Sequence, residues 1–143
     1  MPAQNYSNHT RWFPLFHFVV VPLLVLNLLS HLVRLFLTPN WTLAFWTLLS
    51  FTLILLAISS RLMALKAQDR VIRLEERLRY RELLPAELAA RASDLSVVQM
   101  IALRFAGDEE LAELARRACE NEFATTKEIK QAVKNWRGDH HRV

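Results

Sequence analysis

His17 and His31 stand fourteen positions apart in an otherwise lipid-soluble stretch that also carries Asn27, Ser30 and Arg34. On a straight helix this interval separates the imidazoles by about 40° in azimuth and about 21 Å in height. That is the spacing with which membrane b-type cytochromes present axial ligands to two haems, and a parallel dimer would supply two histidines to each haem b. Two features oppose it. Pro22 lies between the histidines, where a ring without an N–H predicts a kink, and the second apolar stretch contains no histidine to complete the set. A haem-binding redox subunit therefore stands as an alternative, with His17 and His31 as its ligands.

The plainer chemistry is hydrogen bonding between helices. At about 100° per residue, His17, Asn27, Ser30, His31 and Arg34 fall within about 140° of one circumference. Turning such a face to acyl chains costs several kcal/mol, so it predicts protein or water alongside. Reversal of the chain at Pro39 brings Asn27 and His31 level with Thr47 and Ser50. Bonds between these groups are worth about 0.6–2 kcal/mol each. Arg34, four positions before Thr38, can extend its guanidinium to the interface. A small homo-oligomeric channel or transporter lined by Asn27 and His31 is a second alternative. Neither apolar stretch contains Asp or Glu, which removes the usual carrier of a proton-coupled cycle.

These residues need elements to hold them. No formal charge occurs from Trp12 to Val33 or from Leu35 to Ser60. Each run meets the roughly 20 residues that a helix requires to cross about 30 Å of hydrocarbon. The first ends in LFLTPNW and lacks a small-residue cleavage pattern, so it predicts a retained span and not a secretory signal. Thr38-Pro39-Asn40 predicts a reversal between two helices, with Trp12, Trp41 and Trp46 as interfacial anchors.

Basic residues set the orientation. Arg61, Lys66, Arg70 and Arg73 follow the second span against a single Asp69, Arg11 precedes the first, and the turn is uncharged. The positive-inside bias places both termini in the cytoplasm, and the four later cations suit anionic lipid headgroups. The net charge of the 143-residue chain is +4.

No breaker separates Trp41 from Leu84, so the second span predicts one helix continuing into the cytosol. There Asp69 with Arg73 and Glu75 with Arg79 are acid-first i,i+4 pairs. Met63, Ala67, Val71, Leu74 and Leu78 form a narrow apolar stripe, a seam for a second helix or for the chain's own later helices. Those later helices are short and amphipathic. Pro85 opens one in its first turn. Ser93 or Asp94 caps the next, whose Val97, Val98, Ile101 and Phe105 share a face, and Gly107 closes it. Asp108 caps a third, and Thr125 with Glu128 boxes a fourth lined by Ile129, Val133 and Trp136.

Other signals carry little chemistry. Cys119 is the one cysteine and reads as a buried small side chain. Asp139, His140 and His141 on a terminal tail lack separated metal-ligand spacing, and Arg137-Gly138-Asp139 would sit on the wrong side for adhesion. Arg70, Arg73, Arg77, Arg79 and Arg81 are interleaved with acids, which argues against nucleic acid. Two glycines leave no room for a phosphate-binding loop, and no nucleophile–base pair is visible, so no enzyme, metal or resident cofactor is expected.

The stretches PAQNYSNHTRWFPLFHF, RLRYRELLP, QMIALRFAGDEEL and TTKEIKQAVKNWRGDHHRV together resemble a family of small bacterial integral membrane proteins of unknown function. The resemblance covers the whole chain and implies a two-span protein of the bacterial cytoplasmic membrane. It carries no known activity and no functional residue.

The expectation is an all-α membrane protein. A cytosolic tail at 1–11 leads into a transmembrane hairpin at 12–60, with spans at about 14–37 and 41–60. A stalk helix at 61–84 and a cytosolic helical module with its tail at 85–143 follow. The expected role is a membrane-anchored interaction or scaffold protein, either a homo-oligomer or an accessory subunit of a larger membrane complex. Its partners would be membrane lipids and protein helices.

Overall fold

The computed structural model describes residues 5–6 and 12–138. The described chain is helical, with a π-helical segment, six α-helices and an isolated antiparallel bridge between Ala106 and Trp136. It divides into two compact units, Arg11–Leu65 and Lys66–Val143 with Met1–Thr10. The expected cytosolic tail at 1–11 falls mostly outside the described residues, as do Asp139, His140 and His141.

In the first unit a π-helical segment, Leu15–Val20, runs into α1, Val21–Leu37. Pro22 has no N–H to offer the carbonyl four residues back, which leaves the preceding turn free to widen. The Val21 N–H bonds to Phe16 O, five residues back. The disturbance that Pro22 predicts thus takes the form of a π register. Thr38 ends α1, its amide and hydroxyl both donating to Arg34 O at 2.9 and 3.0 Å. Asn40 then begins α2, Trp41–Leu83, by accepting the Leu43 N–H on Oδ1 at 2.9 Å. Leu15–Leu37 and Trp41–Leu83, at 23 and 43 residues, are long and apolar enough to cross a membrane.

The second unit is built differently. α3 (Ala86–Ser93), α4 (Val97–Leu103), α5 (Asp108–Cys119) and α6 (Thr126–Ala132) enclose a core with the last turns of α2. Tyr80, Met100, Leu103, Leu111, Ala115, Ala118 and Ile129 are its buried centre, with Trp136 packed against it. Phe105 is also fully buried, 4.9 Å from the Trp136 ring.

Several boundaries correct the sequence expectations. Pro85 is the N-cap of α3, one place earlier than the first turn. The cap of α4 is Ser96, boxed with Gln99, because Ser93 is still helical and its hydroxyl bonds back to Ala89 O, while Asp94 closes α3. α4 stops at Leu103, and Gly107 serves as the N-cap of α5, leaving Asp108 as its first residue. A Cβ on Gly107 would meet Asn135 O at 3.0 Å and Asn135 Cβ at 3.2 Å, a tighter contact than most side chains make, so glycine suits the close chain approach there. α6 ends at Ala132, and Trp136 lies in the bridge to Ala106 instead of on the helix. Within α4 the buried side chains are Met100, Ala102 and Leu103, while Val98 is exposed and Ile101 half-buried. Almost every position of that segment is apolar, so its pattern could not select a face.

Of the two occupants expected for the apolar stripe on α2, the chain's own later helices do not take it. The apolar stripe of Ala67, Val71, Leu74 and Leu78 is exposed, as is Met63. The module instead covers a face made of Ile72, Glu76, Arg79 and Tyr80.

Candidate functional site

The first unit holds most of the polar residues singled out by the sequence. The Ser50 hydroxyl contacts Asn27 Oδ1 at 2.6 Å and Trp46 O at 2.8 Å. A hydroxyl has one proton, so Ser50 donates in one of these contacts at a time. Ser50 and Leu43 are the two buried residues among the described residues of this unit. One turn on, the His31 ring lies nearly parallel to Trp46 with centroids 6.4 Å apart, and its Nδ1 is buried without a hydrogen-bond partner. Thr47 departs from the expected cross-helix role, because its hydroxyl donates to Leu43 O of its own helix at 2.8 Å. Ser30 and Arg34 are exposed.

His17 lies in the π-helical segment. Its Nδ1 is 3.0 Å from Phe13 O and 3.2 Å from Phe13 N, and its ring meets Trp12 and Phe16 edge-on at 4.9 and 5.2 Å. Each histidine of the haem alternative thus lies against aromatic rings, His17 against Trp12 and Phe16 and His31 against Trp46 of α2. Of the cations assigned to lipid headgroups, Lys66, Arg70 and Arg73 are exposed and Arg61 is half-buried.

The second unit contains a polar cluster whose members come from segments far apart in sequence. Arg79 donates from Nε and Nη2 to Asp108 Oδ1 at 3.1 and 2.6 Å, and from Nη2 to Ala106 O at 2.7 Å. Its Nη1 lies 3.5 Å from Glu76 Oε2, and Arg137 Nη1 lies 3.8 Å from the other oxygen. The Arg79 and Glu76 side chains are both more than nine-tenths buried. Arg79 thus pairs with Glu76 and Asp108, where the sequence suggested Glu75. Burial raises the Glu76 carboxyl above its ordinary 4.5, opposed in turn by Arg79, Arg137 and Arg104. Tyr80 is fully buried with its hydroxyl unpartnered, and burial together with the Glu76 charge raises its phenol far above the usual value.

Glu110 stitches the module's end to its middle. Its carboxylate accepts the Lys134 and Asn135 N–H groups at 3.0 Å each and that of Gly107 at 3.3 Å. The Gly107 N–H also donates to Asn135 O at 2.8 Å, and the Arg137 N–H to Phe105 O at 2.8 Å. Arg137, the first residue of the adhesion-like triplet, is thereby occupied in holding the fold. Arg77 donates twice to Ser93 O, at 3.2 and 2.8 Å.

Two further details escaped the sequence. Asn121 adopts φ 58°, and the Glu122 N–H bonds to Arg117 O while the Asn121 N–H bonds to Ala118 O. This is the left-handed stop expected of an asparagine just past a helix end. Cys119 is half-buried rather than enclosed, and burial pushes its thiol up.

In both clusters the polar groups bond to one another and to backbone carbonyls. Among the described residues no group of three or more His, Cys, Asp or Glu side chains could hold a metal. The Ser50 hydroxyl faces an amide and a backbone carbonyl, neither of which is a general base. The chain belongs to the Family of unknown function (DUF6526), which it matches over residues 1–143. No curated protein and no solved structure matches it.

Proposed function

We propose that the protein is a membrane-anchored helical interaction protein, working as a homo-oligomer or as an accessory subunit of a larger complex in a bacterial cytoplasmic membrane. The observation that carries this reading is where the apolar side chains of the two long helices lie. The most apolar windows of Leu15–Leu37 and Trp41–Leu83 are 0% and 11% buried within the protein. A core helix of a water-soluble domain would bury its apolar stripe, whereas here Phe18, Leu26, Leu48 and Leu56 all face outward. Lipid is the solvent such surfaces suit.

In this reading Leu15–Leu37 and the first half of α2 form a transmembrane hairpin with both termini cytoplasmic. Arg61 and Lys66, with Arg70 and Arg73 beyond them, sit on the side of anionic headgroups. The Ser50 contact with Asn27 supports packing over pore lining, because the amide oxygen is engaged inside one chain. The buried Arg79 cluster supports a module whose polar groups serve cohesion.

Three measurements on the full chain test the reading. Carbonate-washed membranes should retain it, and protease outside the cell should leave its C-terminus intact. Gentle detergent extraction followed by native mass measurement should yield a defined homo-oligomer or a stoichiometric complex. Release by carbonate or trimming from outside would overturn the topology, and a bare monomer would overturn the interaction role.

A further inference from the structure

The exposed stripe on α2 has charged borders of opposite sign. Val71 and Leu78 are 52% and 59% exposed, and Leu74 between them is 62% exposed. With Val71 at position a of a heptad, Ala67 and Leu74 occupy d and Leu78 the next a. Arg70 and Arg77 then fall at successive g positions, and Glu75 and Glu82 at successive e positions. One rim of the seam is basic and the other acidic. The buried face of Ile72, Glu76 and Arg79 lies well round the helix, so the module leaves the seam uncovered.

We infer that this seam is the contact surface for a second copy of the same chain, in parallel and in register. The argument is charge complementarity. In a parallel pair a g residue of one helix faces the e residue of the next heptad on the other, which sets Arg70 against Glu75 and Arg77 against Glu82 of the second copy. Two-fold symmetry doubles both pairs. In an antiparallel pair g faces g and e faces e, which would oppose arginine with arginine and glutamate with glutamate. Arg77 has donors for both duties, since its bonds to Ser93 O use two of the five N–H groups of a guanidinium.

The inference rests on the membrane-anchored reading, because two copies inserted with the same sidedness present their α2 helices in the same direction. Two heptads are too short to associate firmly in dilute solution. Confinement to one bilayer raises the effective concentration and lets a weak seam operate. The seam ends at Arg81, which occupies the following d position, shortly before Pro85 stops helical continuation.

The test is disulfide trapping of the full chain in its own membranes, on a Cys119→Ala background. Leu74→Cys should form a linked dimer on mild oxidation much faster than Arg73→Cys, which is exposed but off the seam. Leu78→Cys repeats the test one turn on, and both substitutions spare the core. Arg70→Glu added to Leu74→Cys should cut the yield roughly tenfold by turning two attractive pairs repulsive. Restoring opposite signs with Glu75→Arg should recover it. Trapping no faster at Leu74 and Leu78 than at Arg73, or a yield indifferent to charge reversal, overturns the seam. If trapping fails while native mass still shows a defined complex, the seam is wrong and the interaction reading stands. If the extracted chain is also monomeric, both fall.

Discussion

The two units of this chain handle apolar residues in opposite ways. Lys66–Val143 hides Tyr80, Met100, Leu103, Phe105 and Ile129 from solvent. Arg11–Leu65 buries no residue of its π-helical segment or of α1, and turns Phe36 and Trp41 almost wholly outward. Polar groups follow the same division. In the module, Arg79, Glu76 and Glu110 are surrounded by partners. In the apolar unit, one hydroxyl contacts an amide from a buried position. Composition already separates them, since the runs from Trp12 to Val33 and from Leu35 to Ser60 carry no formal charge while the segment after Leu65 is rich in Arg and Glu. The side on which the apolar atoms lie separates a folded core from two long helices whose apolar side chains face outward.

The sharpest way to break this contrast is to attack the polar centre of the module. Arg79→Ala removes the partner of a buried carboxylate and the donor to Ala106 O, and should cost about 3–5 kcal/mol. Hydrogen exchange of the α4 and α5 amides in the full chain in micelles reads the loss, and exchange near Asn27 should not change. A cost under about 1 kcal/mol would mean that the cluster contributes little to cohesion.

Ser50→Ala is the counterpart in the other unit. It removes the hydroxyl that contacts Asn27, and should cost about 0.6–2 kcal/mol. Faster exchange along residues 24–31 checks it, with the module amides unaffected. If both variants loosen both regions equally, the division into two independently organised units fails.

The helical class and the length of the two apolar helices could be read from sequence because both depend on long uniform patterns. Charge is absent over two runs of membrane length, and Asn40 followed by a breaker-free stretch allows α2 to run to Leu83. Pairing of Asn27 with Ser50 was reachable from helical phase and the position of the turn. The face that α2 gives to the module was not. Hydrophobic periodicity favours Val71, Leu74 and Leu78, whereas the buried face mixes Ile72 and Tyr80 with Glu76 and Arg79. A buried ion pair looks like surface until its partners are known, and Asp108 and Arg137 come from distant segments. The cap at Ser96 was missed because Ser93, Asp94 and Ser96 all have capping chemistry, and only the end of α3 decides among them.

Glu76 supplies a smaller test through pH. Its folded-state affinity for a proton exceeds that of the unfolded chain, because burial outweighs the neighbouring arginines. The carboxyl's contribution to stability is therefore greatest below the ordinary value of 4.5 and declines as pH rises through the raised folded value. Subtracting the stability of Glu76→Gln from that of the natural chain isolates this group. The difference should fall with increasing pH across that window. A difference that rises would mean that Arg79 and Arg137 outweigh burial.

Tyr80→Phe is the mildest change and carries the opposite sign from Arg79→Ala. The Tyr80 ring is wholly buried in the core and its hydroxyl has no hydrogen-bond partner. Removing a buried hydroxyl that makes no bond removes an unrecovered desolvation cost while keeping the ring's contacts. The variant should thus match the natural chain or gain up to about 1 kcal/mol in exchange protection of the α4 and α5 amides. A loss of about 1 kcal/mol or more would mean that the hydroxyl is bonded, with ordered water beside Glu76 the natural partner to seek. That result would extend the polar cluster inward and make the contrast with the apolar unit steeper, since Tyr80 would join Arg79 and Glu76 as a polar group satisfied inside the module.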